Sequence, residues 1–334
     1  MKILVCGGSG FIGSTFIKNY SDSNSESYIT NLDNLSLGSN QENLRDLETN
    51  SHYKFINNDI RNESLISELV NEHDIIVNFA AESHVDRSIA NPKSFIETNV
   101  LGTYSILEAI RKYDKLFIHV STDEVYGDAS NQQTFDEMSV INPNNPYSAS
   151  KAAADHLVAS YNRTYGIKAI TTRSSNNFGP MQFPEKLIPK TIVRTIKNLR
   201  VPIYGDGEQI RSWIHVYDHV NAIQSLILDG KPGTVYNITA YEEISNKTIV
   251  EKILDILDCS HDMIEFVPDR PGHDRRYSIN SSKLETELGW KPKYDFEQAL
   301  EETVSWYLEN KKWWESLVND KILHPQPWTL NWSQ

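Results

Sequence analysis

Residues 7–13 read GGSGFIG, directly after the apolar run KILVC and directly before an amphipathic stretch from Phe11 to Tyr20. Gly7, Gly10 and Gly13 fit G-x-x-G-x-x-G, and Gly8, Gly10 and Gly13 fit G-x-G-x-x-G. A glycine turn alone occurs often by chance. Between a strand and a helix it means something narrower: a backbone tight enough to approach a pyrophosphate, aimed at a helix start whose N–H groups and dipole favour an anion. Asp33 closes the next apolar run, YITNLD, 20 positions after Gly13. A carboxylate there accepts hydrogen bonds from an adenosine ribose and repels a 2′-phosphate, which predicts NAD in preference to NADP.

The rest of the first half keeps the same rhythm. The runs KFINND, DIIVNFA, KLFIHVS and KAITTRS alternate with amphipathic stretches, among them Ser94–Tyr113 and Ser148–Tyr165. Nearly continuous apolar strands alternating with helices predict an α/β fold, a Rossmann-type doubly wound parallel sheet covered on both faces. Near Asn176 the pattern changes, with prolines at 180, 184, 189 and 202 and a YGDG turn. This predicts a smaller, discontinuous C-terminal substrate lobe from residues 176–212 and 241–334. The NAD-binding part would be 1–175, with 213–240 returning to it through the strand-like run TVYNIT. The aromatic tail after Trp313 carries no assigned role beyond packing on the lobe surface.

In such a sheet the cofactor lies across the carboxyl ends of the strands. The loops there are expected to bind it through Gly7, Gly10, Phe11, Ile12, Gly13, Asp33, Asn34, Asp59, Ile60, Phe79, Ala80, Ala81 and Ser83. The 334-residue chain has a formal net charge of -13, which argues against a nucleic-acid partner. No run reaches the roughly 18 apolar residues of a membrane span, and there is no internal repeat. Two distant cysteines, Cys6 and Cys259, form neither a metal pattern nor a disulfide framework; the reading is no metal and a reducing cytoplasm.

Residues 147–151, YSASK, follow NPNNP, so Tyr147 and Lys151 fall at i and i+4 on one helical face. A nearby ammonium favours a phenolate, so Tyr147 is expected to have a lowered pKa and to act as a base toward a sugar hydroxyl. The strand KLFIHV ends in STDEVYG, which lines up Thr122, Asp123 and Glu124.

With these motifs on the page, the chain resembles the extended short-chain dehydrogenase/reductases. Within them it is similar to the dTDP-glucose 4,6-dehydratases over roughly residues 1–310. The carriers are GGSGFIG, FAAESHVDRS, STDEVYG, YSASKAAADH, RSSNNFGP, QFPEKLIP, YGDGEQIRSW and DRPGHDRRY. The resemblance implies that Tyr147 takes the sugar O4 proton, that Thr122 hydrogen-bonds that oxygen and that Lys151 orients the cofactor ribose. It implies Glu124 as the base at C5 and Asp123 as the acid to the departing 6-hydroxyl, a pair that oxidation alone would not need. Thr98 and Asn177 would lie near the cofactor, and Ser83 and Asn176 would face the sugar. Lys186 and Leu187 would line the substrate site, Pro202, Ile203 and Tyr204 the nucleoside pocket. Arg211 and Arg270 would hold the pyrophosphate, with Asn246 and His273 beside them. A homodimer through a four-helix interface, two helices per subunit, is also implied.

The chain departs from the family pattern at Cys6, Met181, Ser212 and His215, and the segment between Gly127 and Tyr147 is short. The expected reaction is dehydration of dTDP-glucose, a lyase activity of deoxysugar biosynthesis. The alternative is a related dehydratase or epimerase acting on UDP-glucose or another NDP-hexose. A different class, an NAD-binding regulator without catalysis, would not need Thr122, Tyr147 and Lys151 together.

Overall fold

The computed structural model describes residues 1–130 and 132–332. Along the chain run β1 (Lys2–Cys6), α1 (Phe11–Ser23), β2 (Tyr28–Asp33), β3 (Tyr53–Asn57), α2 (Glu63–Glu72), β4 (Ile75–Asn78), α3 (Val85–Ala90), α4 (Pro92–Phe95), α5 (Thr103–Tyr113), β5 (Leu116–Thr122), α6 (Pro146–Tyr165) and β6 (Ala169–Ser174). Then come β7 (Asn176–Phe178), α7 (Leu187–Ile196), β8 (Val201–Tyr204), β9 (Ile210–His215), α8 (Val216–Asp229), β10 (Val235–Ile238), β11 (Glu243–Ser245), α9 (Asn246–Ile256), β12 (Ile264–Val267), α10 (Ser282–Leu288), α11 (Phe296–Glu309) and α12 (Lys311–Glu315).

The main sheet has seven strands in the order β10-β6-β5-β4-β1-β2-β3, all pairs parallel. Along β1 successive side chains alternate faces, as a pleated strand requires. Ile3 and Val5 join the core under α1 and α8, while Leu4 and Cys6 join the core under α2 and α5. All four are fully buried. The chain winds outward in both directions from β1, so a crevice opens at the carboxyl ends of β1 and β4.

Two local features set the crevice. Gly7 has φ +76°, and a Cβ there would stand 2.5 Å from the Ala80 nitrogen, so only glycine lets the β1 and β4 loops approach. The register pairs Asn78 with His119, which leaves Thr122 three residues beyond the end of β4. That overhang carries it about 10 Å into the crevice.

The stretch Ser94–Tyr113 is not one regular helix. A π-type turn, Ile96–Gly102, separates α4 from α5. Gly102 packs on Ile60 there, and a Cβ would stand 2.3 Å from its Cδ1. By contrast α6 is fully specified. Asn145 and Ser148 form a capping box, Pro146 opens the helix, and Gly166 closes it at φ +69°.

The second lobe is built on β11-β9-β7 and on the pair β12-β8. Its core gathers Ile188, Ile192, Trp213, Ile249, Leu300 and Trp314. Residue 213 lies inside β9, which pairs with β7 and β11, so the return to the main sheet starts at α8. The lobe's chain also comes back later, since Leu284 of α10 and Trp290 pack in the core with α8 and β10. Among the described residues no helix is long and apolar enough to cross a membrane.

Candidate active site

The cleft over β1 and β4 is lined by Gly7, Gly10, Phe11, Ile12, Gly13, Asp33, Asn34, Ile60, Phe79, Ala80, Ala81, Ser83, Thr98, Tyr147, Lys151 and Asn177. Gly10 caps α1 without a side-chain hydrogen bond. The N–H groups of that helix start are thus not taken up by a capping side chain. A Cβ on Gly13 would stand 2.3 Å from the Gly7 carbonyl, and one on Gly10 would meet nothing closer than 3.4 Å. The turn is a backbone cradle that fits a dinucleotide pyrophosphate. Asp33, 4% exposed, accepts from the Ser9 and Leu35 N–H groups at 2.9 and 2.8 Å. Burial still raises its pKa.

Asp59 does not line the cleft. Its carboxylate is held by Arg61 at 2.8 Å and accepts from Asn34 Nδ2 at 3.0 Å, so it braces a lining residue. The sequence reading missed the loop from Ser36 to Ser39 and Asn58, which do line it. The polar loop after Asp33 was the available signal.

At the end of β5, Thr122 caps a 3₁₀ turn, Asp123–Tyr126, by accepting from the Glu124 N–H at 3.3 Å. Its hydroxyl donates to Asp123 Oδ1 at 3.3 Å. Asp123 is 2% exposed, and its Oδ2 has no partner among the described residues. Burial, and then the neighbouring Glu124 charge, raise Asp123 from 3.8 to about 8. Burial also raises Glu124, but Arg270, Arg211 and Lys186 oppose it. Tyr277, which the sequence reading did not name, donates its hydroxyl toward Glu124 Oε2 at 3.3 Å and to Asp274 at 2.5 Å.

Tyr147 overturns one expectation. Its pKa is raised, by burial first and then by Glu124, with the Thr122 hydroxyl acting the other way. Lys151 does not dominate it; its Nζ donates to the Val120 carbonyl at 2.7 Å, and burial pulls it down to about 8. Burial of the phenol is the main cause, and the neighbouring acids add to it.

A second cavity joins the first through Glu124, Asn176, Asn177, Gln182, Glu185 and Lys186. It brings together the expected Leu187, Pro202, Ile203, Tyr204, Arg211, Asn246, Arg270 and His273. Ser83 and Thr122 line the first cavity. Asn176 Oδ1 is buried and unpartnered among the described residues. Lys186 Nζ donates to the Ser83 carbonyl at 2.6 Å and so joins the two loops.

Beneath this cavity lies a lattice absent from the sequence reading. Asp86 accepts from Arg270 and from the Tyr204 hydroxyl, both at 2.8 Å. Arg87 pairs with Glu82 at 2.5 Å and donates from Nε and Nη2 to Glu185 at 3.0 and 3.1 Å. Burial would raise both carboxyls, but His84 and Arg270 hold Asp86 below its usual range, and Arg87, His84 and Lys186 bring Glu185 down to about 2. No cluster of His, Cys, Asp or Glu among the described residues could hold a metal.

A GDP-mannose 4,6 dehydratase family model matches residues 4–303. The dTDP-glucose 4,6-dehydratase of Xanthomonas campestris pv. campestris is 44% identical over 95% of each chain. Among solved structures, that of the dTDP-glucose 4,6-dehydratase of Streptomyces venezuelae with NAD bound has a TM-score of 0.92 at 41% identity. The Bacillus anthracis enzyme in complex with NAD gives 0.89 at 43%. Each match covers 95% of this chain and all of the solved one. A nucleotide cleft, a tyrosine–lysine helix and a paired-acid strand end thus coincide with close likeness over nearly the whole length, and the chain belongs to the dTDP-glucose 4,6-dehydratase family.

Proposed function

We propose that the chain converts dTDP-glucose to dTDP-4-keto-6-deoxyglucose, with Tyr147, Thr122, Asp123 and Glu124 dividing the proton transfers. The observation that carries this is the unequal setting of the two adjacent acids. Asp123 is buried, has an unpartnered oxygen and is raised to about 8, so it holds a proton at neutral pH. Burial raises Glu124 as well, but it shares the cavity with Arg270, Arg211 and Lys186, which oppose that rise. Adjacent carboxyls pushed apart in this way supply an acid and a base to one reaction.

The Gly7–Gly13 turn and Asp33 would hold NAD, which when bound would supply oxidation at C4 and reduction at C6 with no net change of the cofactor. Burial works against a Tyr147 phenolate, but the Thr122 hydroxyl favours it, and so would the positive nicotinamide of bound NAD⁺; with that support Tyr147 takes the O4 proton. A ketone at C4 acidifies C5–H, and Glu124 takes that proton. Asp123 protonates the departing 6-hydroxyl as water. Glu124 exchanges that proton with solvent and delivers a solvent proton to C5, while the proton on Tyr147 leaves to solvent and Asp123 regains one, which restores both groups. Arg211 and Arg270 hold the diphosphate, and Tyr204 with Pro202 and Ile203 receives the base.

Incubation with dTDP-glucose in D₂O tests this. The expected product has lost one water and carries solvent deuterium at C5. A product that keeps its original C5 hydrogen overturns the role of Glu124. Turnover of UDP-glucose alone, in a panel of dTDP-, UDP-, GDP- and CDP-glucose, overturns the base assignment.

The working state we infer is a homodimer in the cytoplasm. Ile96, Leu101 and Tyr104 around α5, and Tyr165 at the end of α6, leave an exposed apolar face on the two helices that the resemblance assigns to an interface. Sedimentation at the mass of one 38.2 kDa chain would overturn the dimer.

A further inference from the structure

The C-terminal tail lies beyond the residues matched by the family model, and none of the chemistry above uses it. It is nevertheless anchored on the nucleotide end of the substrate cavity. Lys190, which lines that cavity, donates Nζ to the His324 carbonyl at 2.5 Å, and Arg194, one turn along α7, donates to the Leu323 carbonyl. The 3₁₀ turn Pro327–Thr329 then packs on α3. Trp328 lies edge-on to Tyr204, with ring centroids 4.7 Å apart and planes at 81°. The Trp332 indole N–H donates to the Pro327 carbonyl at 2.8 Å, and the Arg87 guanidinium sits 6.0 Å from its ring.

The contact with Tyr204 matters most. The Tyr204 hydroxyl is fixed on Asp86, which also holds Arg270. Its ring is fixed by Trp328 on one edge and lies near His273, with centroids 6.3 Å apart. A tyrosine pinned at both ends presents a preset face and loses little freedom when a base packs against it. Without Trp328 the ring keeps its bond to Asp86 but loses the aromatic edge that packs against it.

We propose that the tail from His324 to Trp332 braces the nucleoside subsite from behind its lining, and that Trp328 is a positioning residue that sets Tyr204 against the pyrimidine base. This rests on the nucleotide-sugar reading above. Trp328 acts through Tyr204 and touches no reacting group, so its loss weakens ground-state and transition-state binding alike.

The test compares the full chain with Trp328→Ala, Trp328→Leu and Trp328→Phe. In Trp328→Ala the KM for dTDP-glucose and the Kd for dTDP, by calorimetry, are expected to rise roughly three- to tenfold, the scale of one lost aromatic pair. The kcat should stay within about twofold and the Kd for NAD should not move, because only uniform binding is lost. Trp328→Phe should recover most of the loss. In a Tyr204→Leu background, Trp328→Ala should add almost nothing. Should the alanine variant fail to fold, Trp328→Leu serves in its place. Unchanged dTDP affinity in a variant that melts like wild type overturns the proposal. So does an equal loss of NAD and dTDP affinity, or an undiminished effect without Tyr204. Failure of the wild-type chain itself to bind or turn over dTDP-glucose would instead overturn the functional reading.

Discussion

Two pairs of carboxyl groups line the two joined cavities. Asp123 and Glu124 project from the end of β5, while Asp86 and Glu185 lie beneath the nucleotide end. Asp123, Asp86 and Glu185 are all at least 95% shielded from solvent, yet their titration is shifted in opposite directions. The difference lies in what sits within hydrogen-bond reach. Asp86 touches Arg270, and Glu185 receives two guanidinium N–H groups of Arg87. Among the described side chains Asp123 receives a threonine hydroxyl and no cation, and it has a second carboxyl as its neighbour. Burial alone does not set a carboxyl's role; the groups that share its burial do.

Each half of this contrast can be broken by substitution. The largest effect is expected at the acid–base end. Glu124→Gln should lower kcat by about 10²- to 10⁴-fold in a product assay, while the melting temperature stays near that of wild type. At the nucleotide end the expected loss is in stability. Arg87→Ala leaves Glu82 and Glu185 with an uncompensated buried charge and should cost about 3–5 kcal/mol in denaturant unfolding.

The pH dependence of stability distinguishes the pairs next. Asp123 is raised in the folded chain, so its contribution is full below pH about 4 and is lost as pH rises through about 8. Asp123→Asn should remove that loss, so the variant's melting temperature gains on wild type between those values. A constant offset would show that Asp123 does not hold its proton. The pair at the other end has the opposite sign. Glu185 stabilises above the ordinary carboxylate range and loses that contribution as pH falls toward about 2. The smallest effect is expected at Arg211, which stands over the Tyr277 ring at 4.0 Å and donates to the Asp274 carbonyl. Arg211→Ala should raise KM about tenfold with kcat little changed.

The first of these regions was legible in the sequence and the second was not. The glycine turn, Asp33, STDEVYG and YSASK are local strings, and a parallel sheet carries every strand end to the same edge. The strands of the main sheet follow the apolar runs, including TVYNIT, which returns as β10 beside β6. The Asp86–Arg270 and Arg87–Glu185 pairs join residues 184 and 98 positions apart. No local pattern marks Asp86 or Arg87 as facing the substrate lobe. The π-type turn was hidden for another reason. The string from Ile96 to Gly102 carries no mark of a wide turn, which shows only in the π-type winding of the folded backbone, where Gly102 packs on Ile60. The raised pKa of Tyr147 was misjudged because the i+4 lysine is visible in sequence while the burial that chiefly causes the rise is not.

The return of β10 has a consequence for how this chain can be cut or recombined. Its four residues pair with Thr171–Ser174 of β6 only after most of α7, β8, β9 and α8 has been traversed. A fragment ending at residue 175 would therefore present β6 as a bare parallel edge, open to pairing with any other chain. The two lobes are not modules in series that could be grafted separately onto foreign partners. A chimaera that keeps a sound sheet must carry its own β10, together with the α10 segment that covers it.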